Sequence, residues 1–498
     1  MRRTLATVAV SAGLTLGCRT PAATSAAPPV GASAPGPPSW RALDVAARAD
    51  PRLAGVWEAQ GFGHLVAVAA DSVRVFHHAA GRCVADPGLV PGFALYALAG
   101  DGARLSLLHQ DYGPASEALQ TRVDLHRLPA LAAACSPGGA LAAGEEQPTP
   151  AAVFDALDAL MDEHYAFFAE RGVDLPALRA RYRPLAARAP GADSLFAVLC
   201  AMLVHLNDGH VTLARPSGPS CNAGRPALRA RLVAAWRREG ARGASGDYVG
   251  AWHRGVVESV PPLLDVGSRR EGAAGALEWG RIGDSVAYVR VHRFGGFTRE
   301  AAPRPVQLDS LRAALDRMSA DIGGAEAAIV DVAMNGGGHR AAEVLVARRF
   351  ADRARAAVTT QVRGGAPQTI VLRPEGARHG SPAGARPFTR PVVLLTSEIT
   401  ASAAEEFVLL MRALPHVTHA GERTRGILSD LLPKPLPGGF TVTLSHQTVR
   451  DAEGWLYEGA GIPPEEALRL FPPGRERTGF AEAVRGVAAR LARAPGRR

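Results

Sequence analysis

Two short joints in the chain could hold reactive groups where a helix begins. One is TSEITASAAEEF, Thr396–Phe407, which follows the apolar run PVVLL; the other is MNGGGH, Met334–His339, which follows AAIVDVA. Hydrolysis of an amide needs a nucleophile, a base that takes its proton, and donors for the oxyanion. In TASAAEEF, Ser402 stands at a helix start, where free backbone N–H groups stabilise negative charge. Serine is also an ordinary helix cap, and taken alone that is the simpler reading of Ser402. Glycines after a strand serve tight turns, but they also let a substrate carbonyl approach backbone amides closely. Ser397 and Thr400 read as turn residues.

Both joints fall in a stretch where strands and helices alternate. After Trp279 come SVAYVRV (285–291), a helix near 306–319, AAIVDVAM (327–334), helix AAEVLVARRF (341–350), PVVLLTS and helix SAAEEFVLLMRAL (402–414). Alternation of this kind implies an α/β domain with largely parallel strands, whose sites gather where strand ends meet helix N-termini. Upstream, from Leu53 to about Leu131, short alternating runs broken by Gly, Asp and Pro predict a small antiparallel β domain. Thr149 and Pro150 then open a helix in which Val153, Phe154, Leu157, Leu160, Met161 and Phe168 recur with helical spacing, and helices near 175–186 and 194–206 lead to LNDGHVTL. The expected division is a signal peptide over 1–18, a flexible linker over 19–40, a β domain over 41–135 and a helical subdomain over 148–213. An Arg-, Gly- and Ala-rich insertion of weak periodicity covers 214–275, and the α/β domain covers 276–495.

A chain of 498 residues, 47% hydrophobic and 21% charged, can bury large cores in two or three domains. Its net charge of +9 comes from scattered arginine, with Lys434 the single lysine, so no basic face for nucleic acid is expected. MRR followed by LATVAVSAGLTLG and Cys18 reads as a short secretory signal rather than a membrane span. LTLGC resembles a bacterial lipoprotein cleavage box with Thr15 in place of the usual Leu, so lipidation of Cys18 is expected, with a soluble secreted protein as the alternative. The expected location is the bacterial cell envelope or periplasm. An oxidising compartment permits the pairs Cys83–Cys135 and Cys200–Cys221. No metal-ligand spacing is present, and His77-His78 reads as an exposed strand pair.

The pieces HYAFFAERGVD, LNDGH, AYVRVHRFGG, IVDVAMNGGG, LLTSEITASAAEEF, AGERTRG and YEGAGIPPEE occur in an order that is specific as a set. On them, residues 150–470 resemble the C-terminal processing (tail-specific) serine proteases, in the branch that includes the tricorn core protease and the retinoid-binding-protein-like repeats. AGVWEAQGFG through Cys83 also resembles the β domain that precedes the catalytic part in some members. The resemblance implies a crotonase-like or ClpP-like α/β catalytic domain over 276–495. It maps the nucleophile onto Ser402, the base onto His210 of NDGH, and an orienting acid onto Glu458 of YEGAGI. It places the oxyanion donors at Gly337 or its neighbour Gly336, together with Ala403. Members with a Ser/Lys dyad carry the lysine just after GE-x-T-x-G, where this chain has Ile427; Lys434 lies seven residues later between two prolines. The family's D-x-R-x-N is read here by Asp331, Ala333 and Asn335, so its arginine is absent. No PDZ module is recognisable in 214–275. The implied protein is an exported serine peptidase of endopeptidase or C-terminal processing type, acting on peptide or protein substrates without a cofactor. A non-catalytic ligand- or peptide-binding protein on the same scaffold is the alternative, and the oligomeric state stays open.

Overall fold

The structure is a computed structural model that describes residues 41–42, 50–69, 72–79, 81–86, 93–99, 102–109, 122–136, 141–142, 148–216, 218–375, 386–476 and 478–493. The signal segment, Cys18 and the linker lie outside the described residues.

Three strands, Val286–Val291, Ala327–Asp331 and Val392–Thr396, are buried along their whole length, as strands covered on both faces must be. They form the middle of a seven-stranded sheet. Its order is Arg270–Gly272, Leu277–Ile282, Val286–Val291, Ala327–Asp331, Val392–Thr396, Val417–Gly421 and Glu466–Ala467. The first three strands pair antiparallel and the rest parallel. Helices Arg304–Ile322, Arg340–Ala347 and Ala403–Arg412 pack one face through Leu308, Leu311, Leu345 and Phe407. The other face is covered by Ala227–Arg238, Ser245–Glu258 and Gly479–Arg493 through Leu228, Leu232, Trp252, Val256 and Val484. Two of these covering helices come from 214–275, so that segment completes the α/β layer.

The helices Pro150–His164, Leu175–Ala187 and Ala192–Leu203 share a second core with the hairpin strands Thr212–Ala214 and Ser220–Asn222. Thr149 caps the first of them, its side chain accepting the Ala152 N–H at 3.2 Å. Cys200 on the third helix is disulfide-bonded to Cys221 on the hairpin, closing a loop 21 positions long that contains His210. Closing a loop of this length removes unfolded-state entropy equivalent to about 3 kcal/mol. The double variant Cys200→Ala/Cys221→Ala is therefore expected to lower the urea midpoint by the corresponding amount.

At the N-terminal end, Gly55–Ala59, His64–Val68 and Val73–Ala79 belong to a nine-stranded sheet around the fully buried Trp57, with Cys83 bonded to Cys135. This sheet meets the rest of the chain at a seam rich in nitrogen. Lys434, buried on the strand Leu431–Pro435, donates through Nζ to the carbonyls of Phe62 (2.5 Å) and Gly63 (3.0 Å). His64, His77, His164 and His446 surround it; His64 and His77 stack edge-on at 4.8 Å and Phe62 packs on His446 at 5.0 Å. A side chain at Gly63, whose φ is +57, would strike His164 Nε2 at 2.7 Å. The expectation of an exposed His77-His78 pair is thus corrected: both are half-buried, and His77 Nδ1 lies 3.5 Å from Lys434 Nζ because the strand's far face docks on this seam. Among the described residues no group of three or more His, Cys, Asp or Glu is arranged to hold a metal ion, and no helix is long and apolar enough to cross a membrane.

Candidate active site

Ser402 joins the buried strand Val392–Thr396 to the helix Ala403–Arg412, and its backbone stands at φ 58, ψ −130. A residue with a Cβ holds such a conformation only where its surroundings impose it. Here the Ser402 N–H donates to Glu405 Oε2 (3.3 Å), and its carbonyl accepts the amides of Glu405 (2.7 Å) and Glu406 (3.2 Å). Gly337 lies directly against it: a Cβ there would fall 2.7 Å from Ser402 Cβ and 3.1 Å from the Ala403 nitrogen. With φ +103 as well, position 337 requires glycine. The two joints singled out in the sequence therefore touch.

The glycine loop is fastened from several sides. Ser397 Oγ donates to the Ala333 carbonyl (2.5 Å), Thr400 Oγ1 to that of Val332 (2.9 Å), and Asn335 Nδ2 to that of Val291 (2.9 Å). Asp331 Oδ1 accepts the Ala333 N–H at 2.9 Å, while its other oxygen takes Tyr288 OH (2.5 Å) and Arg290 Nε (2.8 Å). Ala333 itself is buried in an apolar layer with Val286, Ile329 and Leu395. The loop thus stands without an arginine at 333. Ser397 and Thr400 do more than shape their own turn, since their hydroxyls tie it to the glycine loop. One assignment changes. The Gly337 N–H is already given to Asn335 Oδ1 at 2.8 Å, so it is not the free donor of the loop. The amides of Gly336, Gly338 and Ala403 make no hydrogen bond among the described residues.

His210 follows a turn in which Asn207 adopts φ 46. Asp208 Oδ1 accepts the His210 N–H (2.9 Å), Asp208 Oδ2 accepts Tyr165 OH (3.0 Å), and the His210 carbonyl accepts Thr443 Oγ1 (2.6 Å). Burial lowers the pKa of the imidazole below its usual value, against the opposing pull of Asp208, Asp430 and the Ser429 backbone, so the ring is neutral at pH 7.

Glu458 is buried. Its Oε1 accepts Arg171 Nη2 at 2.5 Å, and its Oε2 accepts the amides of Leu428 (2.8 Å) and Ser429 (3.0 Å). Burial, then Asp208, push its pKa up, while Arg171 opposes them. The His210 ring and the Glu458 carboxylate both border the segment Thr424–Asp430, and the Ser402 backbone is linked to it through Glu405. Among the described residues, however, no hydrogen bond joins the His210 ring to Ser402 or to Glu458.

Three residues inside the motifs carry more of the site than their positions announce. Arg171 holds Glu458 and lies 3.5 Å from Asp208 Oδ2, and it donates to the carbonyls of Asn207 (2.7 Å) and Gly426 (3.1 Å). Asp208 stands in NDGH beside the histidine. Glu405, fully buried, accepts four donors from two segments. Ile427 occupies the position of a dyad lysine, and Gly209 faces it, with room for a Cβ only 3.0 Å from Ile427 Cδ1. Replacing Arg171 by Met strands two buried carboxylates, and a loss of about 3–5 kcal/mol in stability is expected from urea titration.

Residues 285–468 match the model of peptidase family S41, and residues 148–204 match the tricorn protease C1 domain. Residues 285–468 are a peptidase family S41 domain. The five strands from Val286–Val291 to Glu466–Ala467, the two joints and Glu458 lie inside that match, while His210 and the first two strands of the sheet lie outside it. Among solved structures, the chain is similar to a protein from Parabacteroides merdae ATCC 43184 named as a peptidase, at 25% identity and a TM-score of 0.52, over 69% of this chain and 97% of that one. It is similar also to mature CPAF complexed with lactacystin, at 14% identity and a TM-score of 0.51, over 68% of this chain and 98% of that one. The mixed α/β architecture around the S41 domain is that of these structures.

Proposed function

We propose that the chain is an exported serine peptidase, anchored by lipid at Cys18, that cleaves peptide bonds of peptide or protein substrates. The observation that carries this reading is Ser402 itself: a serine forced to φ 58 at a helix N-terminus, with a glycine loop pressed against it. Neutral His210 takes the Ser402 proton as Oγ attacks the carbonyl carbon; the oxyanion is met by the Ala403 and Gly336 amides. As the C–N bond breaks, the imidazolium gives its proton to the leaving amine, and water then hydrolyses the acyl-enzyme by the same path. For this, the His210 ring comes within about 2.6–3.2 Å of Oγ when substrate is bound. Glu458 acts through the Leu428 and Ser429 amides, fixing the backbone beside the ring. The missing family arginine leaves room for a non-catalytic binder on the same scaffold; a loop fastened by Ser397, Thr400 and Asn335 supports the catalytic reading instead.

A fluorophosphonate probe tests the reading. It is expected to label native protein at Ser402, and not denatured protein or Ser402→Ala; an unreactive native protein means the reading is wrong. Intact mass of membrane-purified protein tests the anchor, which is refuted by a soluble mature chain with no lipid mass.

A further inference from the structure

The Glu405 carboxylate is used more fully than any helix cap requires. In a capping box, a glutamate at the third helical position returns one oxygen to the N-cap amide of its own helix. Glu405 does this with Oε2 on Ser402, and then accepts Thr424 Oγ1 (2.6 Å) and the Gly426 amide (2.7 Å) on Oε1 and the Ile427 amide (2.8 Å) on Oε2. The next two amides, Leu428 and Ser429, go to Glu458. Four consecutive backbone donors, 426–429, are thus divided between two buried carboxylates. One of these carboxylates is bonded to the backbone of Ser402, and the segment they hold ends where the Ser429 backbone faces the His210 ring.

We propose that Glu405 is a positioning residue for the reaction of Ser402, its carboxylate setting the spacing between the nucleophile and the 426–429 segment against which His210 rests. This rests on the reading of Ser402 as nucleophile. All four contacts are donors, so they need the anion; a protonated carboxyl turns one oxygen into a donor that faces other donors. The groups facing Glu405 are Thr424 and the Ser402, Gly426 and Ile427 amides, with the Glu458 carboxylate and the Arg425 guanidinium acting on it electrostatically. Burial raises its pKa to about 7 against those four bonds. Reactivity of Ser402 therefore falls as pH drops through about 7, above the range in which His210, lowered from its usual value, takes its proton.

The test compares wild type, Glu405→Gln and Thr424→Val in the full chain, by fluorophosphonate labelling rate against pH and by hydrogen exchange of the 424–430 amides. Glu405→Gln sets an amide NH2 against backbone donors. It is expected to slow labelling about 100-fold, the scale of a misplacement near 1 Å, to erase the limb near pH 7, and to speed exchange in 424–430 alone. Thr424→Val removes one donor without touching the backbone, so it is expected to move the limb to higher pH while the protein stays folded. Wild-type labelling rate and pH profile in both variants overturn the inference and leave the nucleophile assignment standing. A wild type that no probe labels overturns both. Exchange that rises throughout the molecule in Glu405→Gln, with no shift of the limb in Thr424→Val, reduces Glu405 to a structural residue.

Discussion

His210→Ala is expected to lower peptide turnover about 10³-fold or more, and Ser402→Ala to reduce it to background, with circular dichroism unchanged in both. Lys434→Met is expected to keep most of its turnover. The geometry separates the two nitrogen bases: Lys434 Nζ is spent on the Phe62 and Gly63 carbonyls, whereas His210 stands beside Ser429 and Asp430 on the segment that reaches Ser402 through Glu405. Loss of Lys434 leaves two backbone carbonyls at the seam without their cation, so its cost of about 1–3 kcal/mol shows in urea rather than in kcat. Dead Lys434→Met beside active His210→Ala overturns the mechanism and makes this a lysine enzyme.

The second large effect is acid sensitivity of the seam. His164 faces Lys434, His64, His446 and Arg363, with the Glu163 carboxylate at 3.8 Å, and burial drives its pKa down to about 3. Its unfolded value is near 6.5, so the folded state excludes a proton that the unfolded chain binds. The stability this represents is fully present above pH 6.5 and is lost as pH falls toward about 3. At pH 5 the loss from His164 alone is about 2 kcal/mol, from about 1.4 kcal/mol per pKa unit. His64 and His446 shift in the same direction, with burial the leading cause in each. Buried Glu405 and Glu458, both raised, act in the opposite sense, so the contribution of His164 is read as a difference. Urea midpoints of wild type and His164→Gln are expected to converge by about 2 kcal/mol between pH 7.5 and pH 5, and parallel profiles refute the account.

The strands of the S41 domain were legible because burial on both faces turns them into the apolar runs YVRV, AIVDV and VVLL. The face-covering helices from 214–275 were not. Their anchors, Leu228 with Leu232 and Trp252 with Val256, do recur at helical spacing, but arginine, glycine and alanine between them dilute the period. At the site, the family resemblance carried by the ordered motifs pointed to Ser402, His210 and Glu458, each of which sits in one of them. What motifs do not carry is partnership across the chain. Glu458 is held by Arg171 from 287 positions away, and Glu405 by a segment about twenty residues on. Likewise glycine content alone does not say which loop amide is free; Asn335 decides that by taking the one at Gly337.

The disulfide between Cys200 and Cys221 spans the two sides of His210, from the helix that delivers it to the hairpin that follows it. Among the described residues no disulfide crosses Ser402 or Glu405, whose fastenings are hydrogen bonds indifferent to oxidation. Reduction therefore removes a covalent tie from the His210 side of the candidate site and leaves the fastenings of Ser402 and Glu405 in place, so a thiol reagent addresses one half of the site without the other.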